Sequence, residues 1–281
     1  MKTRNKAFSQ NLLEDPHPFS EDQYPPVTVI IPAHNCAPLM GLTLSSLMDQ
    51  DYPHLEIIVI DAQSQDRTLE VAKSYRHDSL RIYSVSEFNR YEMINKGITL
   101  ATGDYLSVLF PGDSYVSSDT LNLLMNLALS NDFPDLLYCG CLLRGAKAEV
   151  KLLHRPLTLS LLKRGQQPTC LQACWFKPSV FDAIGKFNRN YIMRGGFEFL
   201  CRYQLHKKFR TIFTTRILVD YHLAQITKTS VLNHFIDTGK TVWRFFGFLS
   251  VIKWLFFQHD IRRWFKMWFN SITVAFSGRQ T

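Results

Sequence analysis

Short apolar runs and one-faced helical stretches alternate along the chain from Val27 to Ala128. Val27-Thr28-Val29-Ile30-Ile31 reads as a buried strand. Pro32-Ala33-His34-Asn35 follows as a loop, and Pro38 is placed to open a helix that buries Met40, Leu44, Leu47 and Met48. After a break at Tyr52-Pro53, Leu55 to Ile60 forms a second strand that ends at Asp61. Ser64 is then placed to cap a helix, with Asp66 in its first turn, where the helix dipole favours negative charge. Leu80 to Val85 is a third strand, and Met93, Ile94, Gly97, Ile98 and Ala101 mark the next one-faced helix. Leu106 to Phe110 is a fourth apolar run, stopped by Pro111-Gly112 and closed by Asp113. Ser118 caps a helix with Leu121, Leu124, Met125 and Ala128 on one face.

Four strand–helix alternations predict an α/β fold with a mainly parallel sheet and right-handed crossovers. The second half reads as α+β. Leu136 to Leu143 and Val150 to His154 form a strand pair, and Thr169 to Phe176 is another strand with Gln172 in its middle. Pro178 opens a helix that Gly185 ends, and a further helix follows from Tyr191.

Composition sharpens the picture at both ends. Residues 1–25 are rich in Pro and poor in apolar residues, so they read as a flexible leader with no apolar core long enough for a secretory signal. From Ser230 onward, seven basic residues stand against two acidic ones, and the stretch holds Trp243, Trp254, Trp264 and Trp268. Ile261, Trp264, Phe265 and Trp268 fall on one helical face with Arg262, Arg263 and Lys266 opposite, which suits an anionic membrane surface. Residues 229–281 are therefore read as a basic aromatic helical tail, its alternative being a tail packed on its own domain or on a second subunit. Thr241 to Phe257 is too short and too charged to span a bilayer of ~20 apolar residues. The net charge of +8 implies an anionic partner. No nucleic acid is expected, because no recognition motif accompanies the basic residues. The six cysteines show no paired zinc-type spacing and read as small buried groups in a reducing compartment.

The strand ends carry the candidate chemistry. No GxGxxG follows the first strand and no GxxxxGK[ST] occurs, which argues against dinucleotide-binding oxidoreductases and P-loop enzymes. Instead the strands end in His34 and Asn35, in Asp61, and in Asp113. Open α/β sheets bind ligands at this carboxyl edge. An Asp can accept from the imide N–H of a uracil, a ring such as His34 can stack on a base, and a second Asp can hold a divalent cation against phosphates. Each also has a plain reading as a loop or cap residue.

The run Val27 to Asn35 resembles the opening of the inverting family 2 glycosyltransferases, which have the GT-A fold. So do Leu44-Ser45-Ser46-Leu47 with Gln50, Tyr52 and Pro53, and Glu56 to Asp61 followed by Ser64, Asp66 and Thr68. Asn95-Lys96-Gly97-Ile98, Ala101, Gly103 and Asp113 look like the branch that builds bacterial surface polysaccharides. The resemblance covers about residues 26–228, and it implies a role for each matched position. Pro32, His34 and Asn35 would line the base pocket, Asp61 would bind the nucleobase, and Lys96 would lie near the diphosphate. Asp113 would be the metal-binding carboxylate for Mn²⁺ or Mg²⁺, with His222 a further candidate for metal or phosphate. Gln172 would lie near the acceptor. Relatives supply the catalytic base as an Asp where this chain has Gly196, so Glu198, two residues on, is the candidate displaced base, on condition that the helix starts late; its alternative is a pair with Arg202. The implied activity is transfer of a sugar from a nucleotide-diphospho-sugar, UDP-linked, to a glycan or lipid-linked acceptor with inversion, by a cytoplasmic protein peripheral on the inner face of the membrane. The competing expectation is a module that binds nucleotide-sugar but has lost the chemistry, as Gly196 and Pro111-Gly112 suggest.

Overall fold

The computed structural model describes residues 19–86, 88–145, 150–222 and 228–257. The first half is a run of four parallel strands and their crossover helices: β1 (Val27–Ala33), α1 (Ala37–Met48), β2 (Leu55–Asp61), α2 (Thr68–Ser74), β3 (Leu80–Ser84), α3 (Arg90–Leu100) and β4 (Tyr105–Val108). Next come β5 (Ser114–Tyr115), α4 (Thr120–Ser130), β6 (Leu136–Arg144), β7 (Val150–Leu153), α5 (Leu159–Lys163), β8 (Cys174–Phe176), α6 (Pro178–Ile184), α7 (Gly195–His206) and β9 (Thr211–His222). Two helices follow, α8 (Lys228–Phe246) and α9 (Phe248–Phe257).

Among the described residues the strands form one mixed sheet in the order β3-β2-β1-β4-β8-β6-β9-β5, with β7 on β6. The β3-β2-β1-β4 half is parallel, and β8 joins it antiparallel through Leu106 and Phe176. Every residue of β1 is buried, as a strand covered on both faces requires. Val27, Val29 and Ile31 point into a core closed by Met40, Leu44 and Leu47 of α1 and by Leu121, Leu124 and Met125 of α4. Ile30 points the other way, towards Met93 and Ile94 of α3 and the aromatic residues Phe197, Phe199 and Tyr203 of α7. Gly97 is needed there, since a Cβ would lie 2.4 Å from the Ile30 side chain.

Four sequence expectations change. Ser118 does not cap α4, whose N-cap is Asp119. Ser64 does not cap α2, which starts four residues later, at Thr68. Gln172 lies in a 3-10 turn, Leu171–Ala173, and not in a strand; the strand there is only Cys174–Phe176. The twelve-residue β9, for which the sequence carries no strand pattern, pairs in parallel with β6 and antiparallel with β5.

The stretch after residue 228 packs on the sheet-and-helix body through α8. Val242 of α8 and Trp254 of α9 are buried in the same core as Phe197 and Leu162. Asp237 Oδ2 accepts the backbone N–H groups of Ile192, Met193 and Arg194 at 3.0, 2.7 and 3.0 Å. Arg194 is the N-cap of α7, so one of these donors belongs to the helix start and the other two to the turn before it. Ile261, Trp264, Phe265 and Trp268 lie outside the described residues.

Candidate active site

The carboxyl ends of β1, β2 and β4 open on one edge, and their loops are tied together. Asn35 has φ 46°, a left-handed turn that Asn tolerates. Its Oδ1 accepts Gln65 N–H at 2.8 Å, and its own N–H donates to Ser64 Oγ at 3.0 Å. Ala37 N–H donates to Asp66 Oδ2 at 3.0 Å, and Cys36 N–H to Thr68 Oγ1 at 2.8 Å. The resulting cradle holds Asp61, fully buried, with Oδ2 accepting Ser64 N–H at 3.0 Å and Oδ1 accepting the Ser64 hydroxyl. Ser64 therefore orients the carboxylate rather than capping a helix.

His34 stands beside it. Its Nδ1 faces the Ala62 carbonyl at 2.8 Å and so carries the proton, which leaves Nε2 to accept from Asn35 Nδ2 at 3.1 Å. The His34 ring lies 4.3 Å from that of Phe88, which is 67% exposed. The two rings are tilted by 39°, and the exposed Phe88 gives this edge an apolar ring against which a base could pack. Pro32 lies in β1, in register with Ile60. Phe88 carries no pattern in the sequence, because the loop before α3 has no periodicity to place it.

Asp113 is the second centre. It is 1% exposed, and its Oδ2 accepts Gln172 Nε2 at 2.8 Å and Phe110 N–H at 3.2 Å. Oδ1 accepts the backbone N–H of His222 at 3.1 Å. Burial pushes this carboxyl up from 3.8 to about 7, against the lowering effect of those hydrogen bonds. β9 thus carries His222 to Asp113, and the 3-10 turn carries Gln172 there, so these three predicted residues meet. His222 Nδ1 is buried without a partner among the described residues. An orphaned, buried imidazole nitrogen on the residue whose backbone N–H binds the Asp113 carboxylate is a donor of the type a divalent cation completed by diphosphate oxygens would use. Among the described residues no group of three His, Cys, Asp or Glu is assembled for a metal.

Two predicted residues are placed elsewhere. Lys96 is exposed, six residues into α3. This helix runs back from the carboxyl edge, so Lys96 lies about 9 Å along it from the first residue. The cation at the edge is Arg90, the first residue of α3, with its guanidinium 5.0 Å from the centre of the Phe110 ring. Arg90 and Asp113 both act electrostatically on the Tyr221 hydroxyl. Asn89 fixes this start by accepting Tyr91 N–H at 3.0 Å and Glu92 N–H at 3.2 Å, a cap readable in the sequence.

Glu198 is the other. The helix does not start late: Arg194 is the N-cap of α7, and Glu198 N–H donates to Arg194 O at 3.0 Å. A Cβ at Gly196 would lie 3.3 Å from Leu171, next to Gln172. Glu198 is turned ~200° from Gly196. Its carboxylate is 1% exposed and accepts Arg202 Nε and Nη2 at 2.9 Å each. Arg202 is in turn held by the carbonyls of Ile184, Gly185 and Lys186 at the end of α6. This corrects the expectation of a displaced base: Glu198 is committed to the α6–α7 contact. Arg194, not singled out in the sequence, is buried at the start of α7, where it donates to Gln167 Oε1 and Gly165 O, and burial lowers it to about 10.

Residues 28–185 match the glycosyl transferase family 2 description, and the chain belongs to that family. It is 28% identical to a PGL/p-HBAD biosynthesis glycosyltransferase of Mycobacterium bovis over 181 residues, 63% of this chain and 69% of that one. Among solved structures it is similar to S. aureus TarS 1-349, with a TM-score of 0.61 and 16% identity over 77% of this chain. The chain spans 64% of that TarS chain, less than two thirds of its length. TarS 1-349 is also solved in complex with UDP-GlcNAc (TM-score 0.63, 14% identity, 82% of this chain and 71% of that one). PcManGT of Pyrobaculum calidifontis, a mannosyltransferase in complex with GDP-Man and Mn²⁺, is similar at a TM-score of 0.61 and 19% identity over 80% of this chain and 66% of that one. The fold is GT-A: an α/β sheet flanked by helices, as those neighbours have.

Proposed function

We propose that this chain is a glycosyltransferase that moves a sugar from a nucleotide-diphospho-sugar, UDP-linked, to a glycan or lipid-linked acceptor with inversion. The observation that carries this reading is the convergence at one sheet edge of a buried, oriented Asp61, the His34–Phe88 ring pair, Arg90, and Asp113 with Gln172 and His222. In this reading the nucleobase lies on the His34 side and accepts direction from Asp61, and Arg90 meets the diphosphate. Asp113 and His222 would hold a divalent cation, Mn²⁺ or Mg²⁺. When bound, the cation supplies Lewis-acid stabilisation of the leaving diphosphate. Gln172, by donating to Asp113, fixes the carboxylate and ties it to the turn that faces Gly196. The names of the neighbours support a nucleotide-sugar donor, since TarS is solved with UDP-GlcNAc and PcManGT with GDP-Man. The cytoplasmic, membrane-peripheral location belongs to the same proposal.

Gly196 and the commitment of Glu198 to Arg202 favour a second reading, a nucleotide-sugar-binding module without turnover. Inverting transfer needs a group within hydrogen-bond reach of the acceptor hydroxyl. Calorimetric titration of UDP, GDP and their sugars, with and without Mn²⁺, tests the donor reading, and failure to bind any nucleoside diphosphate refutes it. Binding of UDP-sugar with no transfer over a broad acceptor panel, but with turnover gained in Gly196→Asp, supports the second reading.

A further inference from the structure

Helix α8 carries apolar residues on two opposite sides, one packed on the body and one turned away from it. The face turned to the protein carries Val242 with Phe235, Phe245 and Phe246, and Asp237, Thr238 and Thr241 are buried beside them. The face turned away carries Leu232, Ile236 and Trp243, which are 51%, 52% and 58% exposed. These outward residues fall within about 40° of one another around the helix. A helix on a protein surface in water turns its apolar stripe inward and its polar side out. α9 repeats the pattern: Trp254 faces in, while Phe248, Leu249 and Phe256 face out, Phe256 at 80% exposure. The two outward faces are continuous across the turn at Gly247, where the Trp243 and Phe248 rings meet edge to face at 5.6 Å.

The charge beside this ridge selects its occupant. Between residues 228 and 257 the only acidic side chain is Asp237, and it is turned inward. Lys240, Arg244 and Lys253 are exposed along the flanks. The chain continues past Phe257 with Arg262, Arg263 and Lys266. A second copy would bring the same cations against each other, whereas an anionic bilayer surface attracts them at about 1 kcal/mol each. No helix among the described residues is long and apolar enough to cross a membrane, so the ridge suits a surface contact.

We propose that the outward ridge of α8 and α9 is the face by which this protein docks on an anionic phospholipid surface, with Trp243, Phe248 and Phe256 entering the headgroup layer and the flanking Lys and Arg on lipid phosphates. The ridge is tied to the site: Asp237 on the inner side of α8 holds the turn at Ile192–Arg194 that leads into Gly195 and Gly196. Docking therefore sets the acceptor side of the site next to the bilayer. This consequence rests on the proposed lipid-linked acceptor; the docking face itself does not.

The test is flotation of the full chain with vesicles of phosphatidylcholine alone and of phosphatidylcholine with phosphatidylglycerol. Wild type is expected to float with the anionic vesicles and to be released by salt. Trp243→Ser/Phe248→Ser/Phe256→Ser and Lys240→Gln/Arg244→Gln/Lys253→Gln should each lower the vesicle-bound to free ratio by about tenfold or more. Val150→Ser/Leu152→Ser, exposed apolar positions on β7, should float as wild type. All variants should keep the wild-type UDP titration, which separates loss of docking from loss of the donor site. Flotation of the aromatic variant equal to wild type overturns the proposal. So does a wild-type dimer in solution that the aromatic variant converts to monomer without any wild-type flotation. Flotation without transfer to any lipid-linked acceptor leaves the docking face standing and refutes only the acceptor reading.

Discussion

Asp113 makes the metal-free, nucleotide-free protein less stable as pH rises. Its folded value, about 7, lies above its ordinary 3.8 because burial disfavours the charged form. A group raised in this way gives its full stability below the unfolded value and loses it as pH climbs through the folded one. A rise of about three pH units corresponds to roughly 4 kcal/mol in all, of which about 2.5 kcal/mol falls between pH 5 and pH 8. For a chain of this size that is ~5–10 °C in melting temperature. The assay is a pair of thermal melts, wild type and Asp113→Asn, at half-unit steps from pH 5 to 8 in chelator. The variant lacks the titrating group, so the wild-type-minus-variant difference should fall by that amount across the range. Mn²⁺ with UDP should flatten the wild-type curve, because a cation on the carboxylate favours its charged form. Parallel curves, within about 1 °C throughout, would refute the argument that burial dominates at Asp113.

Other outcomes follow from the contacts above. Asp237→Ala leaves three backbone N–H groups without their acceptor, and should cost about 3 kcal/mol, read as a fall of ~6–12 °C in melting temperature; Asp237→Asn should recover part of it, and a change under 2 °C in the Ala variant would contradict the capping role. Arg90→Ala should weaken UDP binding about tenfold by calorimetry while Lys96→Ala leaves it unchanged, and the reverse order would return Lys96 to the site. Glu198→Gln should destabilise by about 2 kcal/mol through the unpaired Arg202 yet leave nucleotide affinity and any turnover within about threefold; a hundredfold loss of turnover at unchanged stability would restore Glu198 as the base.

The parallel half of the fold was legible because fully buried strands leave uninterrupted apolar runs, as in Val27 to Ile31 and Ile57 to Ile60. β9 was hidden by its own composition. Thr214, Thr215 and Arg216 interrupt it near the shift in its pairing with β6 between Tyr138 and Cys141, so neither a run nor an alternation emerges. His222 was thus named without the strand that delivers it to Asp113. Lys96 stands back from the edge for a reason of direction: a motif gives the residue and its helix, but the distance from the strand ends depends on which way the helix runs. Glu198 failed on rotation about α7, which spacing alone predicts and which Gly195-Gly196 does not relax. Asp61 and Asp113 were legible as strand ends. Ser64, Gln172 and Asp237, which hold or extend the site, act across long stretches of chain or through turns that leave no periodic trace.

The stitching between the loops after β1 and β2 bears on how such a site changes its donor. Asn35, Ser64, Asp66 and Thr68 hold each other across two separate segments. The cradle is therefore held by its own side chains and backbone, and under the proposed function little ordering entropy would remain for a nucleotide to supply. The same completeness makes it resistant to piecemeal revision. A substitution in one loop removes a partner from the other, so a new nucleobase preference would have to be reached through paired changes, one in each segment.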